Sequence, residues 1–279
     1  MALISDFRQA EARRLDNWRQ TPDNRLAGPD EAVSFIERVG VATLYPVSPE
    51  IPDLFHAYVG DPAAPTDSGH DTPSGEVYSW RWALGWREAA CYVALVRSRP
   101  TWVSWPLLPA ILRLRGEPRP VAELYAAGEL SADAWRVARA LAEAGGVLGT
   151  GELRRAAGFP TGKAERAVYL KAVAELDARR LLAKVFAAQD TEMRHALVGA
   201  RYPREVAAAG RLTREEALEQ FLLVYLPPAV YAAPAALARH LGLPEAELRA
   251  SLARLAGAGR AVATPLPGRR GDGYVWGGE

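Results

Sequence analysis

An internal repeat in the second half of this 279-residue sequence constrains its fold more than any other feature. The stretch GELRRAAGFPTGKAERAVYLKAVAELDARRLLAKV begins at Gly151, and PAALARHLGLPEAELRASLARLAGAGRAVATP begins at Pro234. Each stretch contains a short xxLxRxxG helix, a turn, a longer amphipathic helix, a break of small residues and a β-prone run. The similarity indicates two copies of one supersecondary unit.

The helix and strand signals give both copies the same order of elements. The first copy is predicted to contain helices Asp133–Ala144, Glu152–Ala157 and Lys163–Asp177 and a hairpin of Leu181–Ala188 and Met193–Val198. The second is predicted to contain helices Arg214–Tyr225, Pro234–Leu241 and Pro244–Ala256 and a hairpin of Ala261–Pro265 and Tyr274–Trp276. Three helices followed by a hairpin are typical of a winged helix. The predicted fold class is therefore mainly α with small β-hairpins (α+β), built on tandem winged-helix modules at 131–200 and 201–279 after an N-terminal domain at 1–130.

The third helix of each copy is the element that would enter a DNA groove. In the first copy, the side predicted to face the core carries Val168, Tyr169, Val173 and Leu176, and in the second it carries Leu248, Leu252 and Leu255. The opposite sides are small and basic, which suits close approach to a phosphate backbone. The residues predicted to bind DNA are Lys163, Arg166, Lys171, Arg249 and Arg254, together with Arg269 and Arg270 at the tip of the second wing.

The charge distribution agrees with this prediction only modestly. Lys and Arg against Asp and Glu number 13 against 17 in residues 1–130, 11 against 8 in 131–200 and 10 against 8 in 201–279. The predicted partner is therefore double-stranded DNA, recognised through its backbone and shape rather than its base sequence. The alternative is that the two modules serve packing or protein interaction and that their arginine-rich faces are simply solvated.

Several other classes of protein find no support in the sequence. Cys91 is the single cysteine, and the four histidines (His56, His70, His195 and His240) lack metal-ligand spacing, so no metal site is expected. The sequence contains no GxxxxGK[ST], GxGxxG, GxSxG or HExxH, and we expect no cofactor, nucleotide or otherwise. Neither a signal-peptide pattern nor an apolar run of roughly 20 residues occurs, so a cytoplasmic protein without membrane contact is predicted.

Residues 1–130 are predicted to form a mixed helical and β domain, with a divergent winged helix as an alternative interpretation. Helices are predicted at Phe7–Arg19 and from Asp30 to Gly40, an irregular stretch after Gly40, a loop at Asp61–Gly75, and paired β-prone runs at Val77–Trp82 and Ala90–Val96. Five of the eight tryptophans fall within 26 residues, at Trp80, Trp82, Trp86, Trp102 and Trp105. They indicate either a hydrophobic core or an aromatic cleft that stacks a flat ligand.

Three segments of this half resemble the AlkZ/YcaQ-type winged-helix DNA glycosylases. EARRLDNWRQ, from Glu11, is similar to the opening helix of that family. FIERVGVATLYPV and IPDLFHAYVG are similar to its catalytic segment and the segment that follows, and GWREAACY to a stretch built on Trp, His, Glu and Ala, with Glu88 in the acidic position. The resemblance implies tandem winged helices around a DNA-binding cleft and excision of alkylated or crosslinked bases.

The sequence departs from the family at the residues that carry the chemistry. The active-site signature of the family is Gln-aliphatic-Gln or Gln-aliphatic-Asp, and those positions are Thr43, Leu44 and Tyr45 here. The His of the third segment is replaced by Arg87. Thr and Tyr are poor general bases at neutral pH. The catalytic candidates are therefore Thr43 and Tyr45 at the family motif and Glu88. Three other carboxylates, Glu37, Glu50 and Asp53, are further candidates to replace the missing groups.

Three hypotheses follow for function. The first is a DNA-binding protein related to DNA repair, such as a lesion sensor, with a degenerate active-site motif. The second is a winged-helix transcription regulator with a ligand-sensing N-terminal domain. The third is an active glycosylase whose catalytic residue has moved.

Overall fold

The computed structural model describes residues 7–187, 192–267 and 271–278. The part that precedes the repeat contains α1 (Phe7–Asn17), α2 (Pro29–Val39), β1 (Val41–Thr43), α3 (Leu54–Val59), α4 (Pro73–Trp86), β2 (Cys91–Ala94), β3 (Pro100–Val103), α5 (Leu108–Arg115) and α6 (Val121–Ala126). None of the described helices combines the length and the apolar character that a membrane crossing requires.

The two repeated segments have the predicted order of helices and hairpin, and each adds a short strand after its first helix. The first module contains α7 (Ala132–Glu143), β4 (Val147–Gly149), α8 (Thr150–Ala156), α9 (Lys163–Ala178), β5 (Leu182–Phe186) and β6 (Met193–Leu197). Two connecting helices follow, α10 (Val198–Arg201) and α11 (Pro203–Arg211). The second module contains α12 (Arg214–Ala229), β7 (Tyr231–Ala232), α13 (Pro234–Leu241), α14 (Glu245–Gly257), β8 (Ala261–Pro265) and β9 (Asp272–Trp276). Observed bounds lie within a few residues of the predicted ones.

The strands form two antiparallel sheets, of which one is confined to the second module and the other includes strands from both the first module and the N-terminal part. In the second module, β7, β9 and β8 form a local three-stranded sheet. The strands of the first module instead join those near the N-terminus in the order β1-β3-β2-β5-β6-β4. The junction is the pairing of β2 with β5, where Tyr92 lies opposite Lys184 and Val93 opposite Ala183. The sheet is thus continuous across residue 130, and the division at 130 and 200 remains a prediction.

The prediction of a strand at Val77–Trp82 is wrong, because this segment lies inside α4. Thr72 caps the helix by accepting a hydrogen bond from the Gly75 amide, and Pro73 occupies its first turn. Val77, Trp80 and Leu84 are all buried on one face of it. The stretch after Gly40, predicted to be irregular, contains β1 and α3.

The tryptophan-rich segment contributes mainly to the core. Trp80 and Trp102 are fully buried, and the Trp102 ring stacks on Tyr92 with 4.2 Å between ring centroids. Phe186 of β5 packs against the rings of Tyr92 and Trp102, and this contact joins the first module to the N-terminal strands. These contacts support the hydrophobic-core alternative for Trp80 and Trp102.

Candidate nucleic-acid interface

The family motif position lies at the end of strand β1, where both of its hydroxyl groups donate to backbone carbonyls. Thr43 is buried, and its Oγ1 donates to the carbonyl oxygen of Tyr45 at 2.8 Å. The Tyr45 hydroxyl donates to the carbonyl oxygen of Ser74 at 2.8 Å. Burial raises the pKa of Tyr45, so its phenol stays protonated at neutral pH. In this arrangement neither hydroxyl can act as a general base.

A cleft of about 610 Å³ opens beside this position and carries an excess of positive charge. We call it the arginine cleft, and its lining includes Thr43, Tyr45, Tyr78, Arg81, Tyr92, Arg97 and Arg99. Arg81 lies 3.4 Å above the ring of Tyr78, and Arg97 donates to the carbonyl oxygen of Val47 at 3.3 Å. Across residues 7–187, 192–267 and 271–278, no carboxylate forms an ion pair with Arg81, Arg97 or Arg99. The cleft therefore offers unneutralised guanidinium groups beside aromatic rings.

Glu88 does not join Thr43 and Tyr45. It lies beyond the end of α4 with a φ of 47°, is well exposed, and forms an ion pair with Arg201. Its carbonyl oxygen accepts a hydrogen bond of 2.7 Å from the indole of Trp105. Arg87, at the position of the family's His, pairs with Asp30 at the surface. The structure thus separates the acidic candidate from the motif position.

The other three carboxylates considered as replacements occupy different surroundings. Glu37 is exposed on α2. Asp53 caps α3 by accepting a hydrogen bond of 2.8 Å from the His56 amide, and its other oxygen lies 2.9 Å from Nδ1 of His56. Burial lowers the pKa of His56, but the hydrogen bond and charge of Asp53 outweigh it and the net shift is upward. Glu50 is fully buried in an ion pair of 3.3 Å with Arg14.

The sequence did not predict the network around Arg14. This buried side chain lies between the rings of Trp18 and Tyr231 and donates to the Tyr225 hydroxyl at 3.1 Å. Tyr225 in turn donates to the carbonyl oxygen of Glu50 at 2.7 Å. The network joins α1 and the segment after β1 to α12 and β7 of the second module. An arginine within an otherwise amphipathic first helix was its only signal in the sequence.

The third helix of the first module, α9, presents its predicted cations to solvent. Lys163, Arg166 and Lys171 are exposed, and none forms an ion pair with a residue that the structure describes. Tyr169, Val173 and Leu176 are buried as predicted, but Val168 is 43% exposed, so its assignment to the core is wrong. The helix turns by about 100° per residue. Val168 therefore points away from its buried neighbour Tyr169 and lies beyond the edge of the core.

The equivalent helix of the second module, α14, carries cations that are already paired. Leu248, Leu252 and Leu255 are buried as predicted. Arg249 forms an ion pair of 2.6 Å with Glu245, and Arg254 one of 3.1 Å with Glu215. The hydrogen bond from Arg249 to Glu245 raises the pKa of Arg249. Arg269 and Arg270 lie outside the described residues.

The sequence of residues 26–202 matches the model of a family described as AlkZ related. The chain belongs to the AlkZ-related family. The matched region spans both the arginine cleft and the first module, and it confirms the resemblance inferred from the sequence.

A comparison of folds points in the same direction. The chain is similar to the Streptomyces sahachiroi DNA glycosylase AlkZ, with a TM-score of 0.54 and 13% sequence identity over 95% of this chain and 69% of the other. At this identity the similarity concerns the fold alone. Among curated proteins, no sequence matches this chain.

Proposed function

We propose that this protein binds double-stranded DNA without excising bases, through the cationic face of α9 and the arginine cleft. The observation that carries the proposal is that six cations in these two places, Arg81, Arg97, Arg99, Lys163, Arg166 and Lys171, have no carboxylate partner among the described residues. Unpaired guanidinium and ammonium groups are what a phosphate backbone binds. Membership of the AlkZ-related family and the similarity of fold to a DNA glycosylase support DNA as the polyanion.

The order of elements in each module supports their interpretation as tandem winged helices. A helix, a short strand, two more helices and a β-hairpin follow one another in both, and the short strand pairs with the last strand of the hairpin. Under this interpretation α9 is the recognition helix of the first module. Its exposed face lacks Asn and Gln, which favours recognition of the DNA backbone and shape over base-specific readout.

The absence of base excision follows from the groups at the motif position. Hydrolysis of a glycosidic bond requires a group that orients water against an oxocarbenium-like centre, as a carboxylate or amide does. Thr43 and Tyr45 are both committed to backbone carbonyls, and Glu50 is paired with Arg14. A protein that holds a lesion or distorted duplex in the cytoplasm, without cutting it, fits these features.

The aromatic rings of the arginine cleft indicate how a distorted duplex would be held. Tyr78 is 43% exposed, and Arg81 stacks over its ring. Base stacking on an aromatic face contributes about 1–3 kcal/mol per base. An unstacked alkylated base, or the unpaired base opposite an abasic site, would therefore gain a contact that a base inside an intact duplex cannot reach.

The test combines binding and base release on the same DNA. Fluorescence anisotropy would compare plain, alkylated and abasic duplexes of one sequence, and chromatography would follow free base after long incubation. We expect binding to all three, tighter binding to the damaged duplexes, and no free base. Arg81→Ala/Arg97→Ala/Arg99→Ala should remove the preference for damage.

A matched control removes three exposed arginines outside both surfaces. Arg204, Arg211 and Arg239 are exposed, and Arg204→Ala/Arg211→Ala/Arg239→Ala changes the net charge by the same amount. It should keep the preference for damaged DNA. Failure of the unmodified protein to bind any duplex at low salt would refute the proposal, and release of base from alkylated DNA would refute its non-catalytic part.

A further inference from the structure

A second cavity, of about 400 Å³, lies away from the arginine cleft, between α5, the start of β5 and α11. Most of its wall is apolar, with Leu112 from α5, Leu197 from the end of β6, Val198 from the start of α10, and Ala209 from α11. Small-molecule sites in proteins are typically about 300–1,000 Å³, mostly apolar, with a few polar groups that fix orientation. This cavity has the size and lining of such a site.

Arg180 is a buried cation in the wall of this cavity. It is only 3% exposed, and its hydrogen bonds go to the carbonyl oxygens of Leu95, at 3.4 Å, and Ala178. Its Nε has no partner, and no carboxylate of the described chain forms an ion pair with it. Burial, together with the charge of Arg115, lowers the pKa of Arg180 to about 10, and the charge of Asp177 opposes this shift only in part. A buried charge without a counterion is costly, and an anion in the cavity would offset that cost.

The backbone at Arg180 is unfavourable for any residue with a side chain. Arg180 directly follows Arg179, the residue that caps the C-terminus of α9, and has a φ of 56°. The amides of Arg180 and Leu181 donate to the carbonyls of Asp177 and Leu176. These bonds form a helix-ending motif that favours glycine. In the second module the equivalent residue is Gly259, with a φ of 72°. The first module thus keeps an arginine where its own repeat has glycine, and strain of this kind concentrates at functional sites.

The other charged groups that line the cavity do not neutralise the positive charge of Arg180. Arg119 and Glu117 line the cavity but bind each other at 2.9 Å. Arg113 also lines it, and its Nε has no described partner. An anion inside would therefore meet Arg180 and Arg113 rather than a competing carboxylate.

We propose that this cavity binds a small amphipathic carboxylate. The carboxylate would accept hydrogen bonds from Arg180 and Arg113, and its apolar body would lie against Leu112, Leu197 and Val198. The cavity is lined by residues of the first module and by residues of α11, the helix that leads to the second module. Such a ligand would therefore contact both the first module and the segment that connects it to the second. This site is independent of the DNA surfaces.

Calorimetric titration with decanoate and with decanol tests the proposal, because the two probes differ only in the head group. The unmodified protein should bind decanoate at least tenfold more tightly than decanol, with decanoate kept below its micelle concentration and decanol below its solubility limit. Arg180→Gly should abolish that preference, and its thermal midpoint without ligand should equal or exceed that of the unmodified protein, because glycine suits the backbone at this position.

Ala209→Leu provides the second variant, since it narrows the cavity while Arg180 stays in place. It should weaken the binding of both probes by at least tenfold. Three outcomes would each overturn the proposal. They are no binding of decanoate to the unmodified protein, equal binding of the two probes, and binding to Ala209→Leu that is as tight as before the substitution.

Discussion

The two modules share one order of elements but are embedded differently in the molecule. The first has a hydrophobic core of its own, formed by residues between Leu124 and Leu182. The second contributes the residues of α12 and α14 to the main core, where α12 packs against α5, α2 and α1. The same local sequence pattern thus produced one unit that has its own helical core and joins the rest of the protein through its sheet, and one unit whose helices form part of the main core.

The difference extends to the third helices. On α9 the cations Lys163, Arg166 and Lys171 face solvent without carboxylate partners in the described chain, whereas on α14 Arg249 and Arg254 are both paired. A cation that already has a carboxylate partner gains less from a phosphate. The comparison teaches that two segments with the same order of elements can present different surfaces, because the cations on α14 are paired with carboxylates and those on α9 are not.

The largest expected effect concerns the attachment of the second module through Arg14. Arg14→Ala would remove one partner of the buried Arg14–Glu50 ion pair and break the link to Tyr225, so we expect a loss of about 3–5 kcal/mol in the free energy of unfolding. Chemical denaturation measures it. Arg13→Ala, one residue away on the exposed face of α1, is the matched control and should change the free energy by less than about 0.5 kcal/mol. Equal effects of the two variants would contradict the merged-core description.

A smaller expected effect is a dependence of the free energy of unfolding on pH, which arises from a buried histidine in the first module. His195 is buried beside Lys184, with 2.9 Å between Nδ1 and Nζ, and burial lowers its pKa to about 3. The unfolded chain, with a His pKa of about 6.5, binds a proton that the folded chain does not, so stability falls as the pH drops from 6.5 towards 3. This single group should cost about 2 kcal/mol between pH 7 and pH 5.

His195→Gln removes that group and keeps an acceptor for Lys184. Chemical denaturation at pH 7, 6 and 5 should show a shallower decline for the variant than for the unmodified protein. Parallel declines would show that His195 is not neutral in the fold and that the core of the first module lacks this sensitivity.

The smallest expected effect tests the outward orientation of α9. Leu170 is 49% exposed, so Leu170→Ser should change the free energy of unfolding by no more than about 0.5 kcal/mol. The contrasting variant in the second module is Leu252→Ala, which removes a fully buried side chain from α14 and should cost about 2–5 kcal/mol. A large loss from Leu170→Ser would place that face of α9 in a packed interface.

The repeat and its helices were predictable because their signals are local. Apolar residues recur at helical spacing and small residues mark the ends, so the predicted and observed bounds of Pro234–Leu241 coincide. The strand predicted at Val77–Trp82 failed because alternating aromatic residues resemble a β-strand, whereas the cap at Thr72 favours a helix.

The remaining features depend on contacts between distant parts of the chain, which periodicity does not encode. The hydrogen bond from Arg14 to Tyr225 spans 211 residues, and the pairing of β2 with β5 joins segments that the sequence separates by about 90 residues. The arginine cleft also depends on such contacts, since Arg81 lies on a helix and Arg97 and Arg99 lie in and after a turn. Its motif position, Thr43 to Tyr45, was identified by the resemblance to the family, and its cations were not.

The salt dependence of DNA affinity tests most directly whether the first module, rather than the second, contacts DNA. Each phosphate contact contributes roughly 0.9 to the slope of log K against log salt concentration. We expect Lys163→Ala/Arg166→Ala/Lys171→Ala to reduce the slope by roughly 2–3 and Arg249→Ala/Arg254→Ala to leave it nearly unchanged. A slope that falls for the second variant and not for the first would contradict the account.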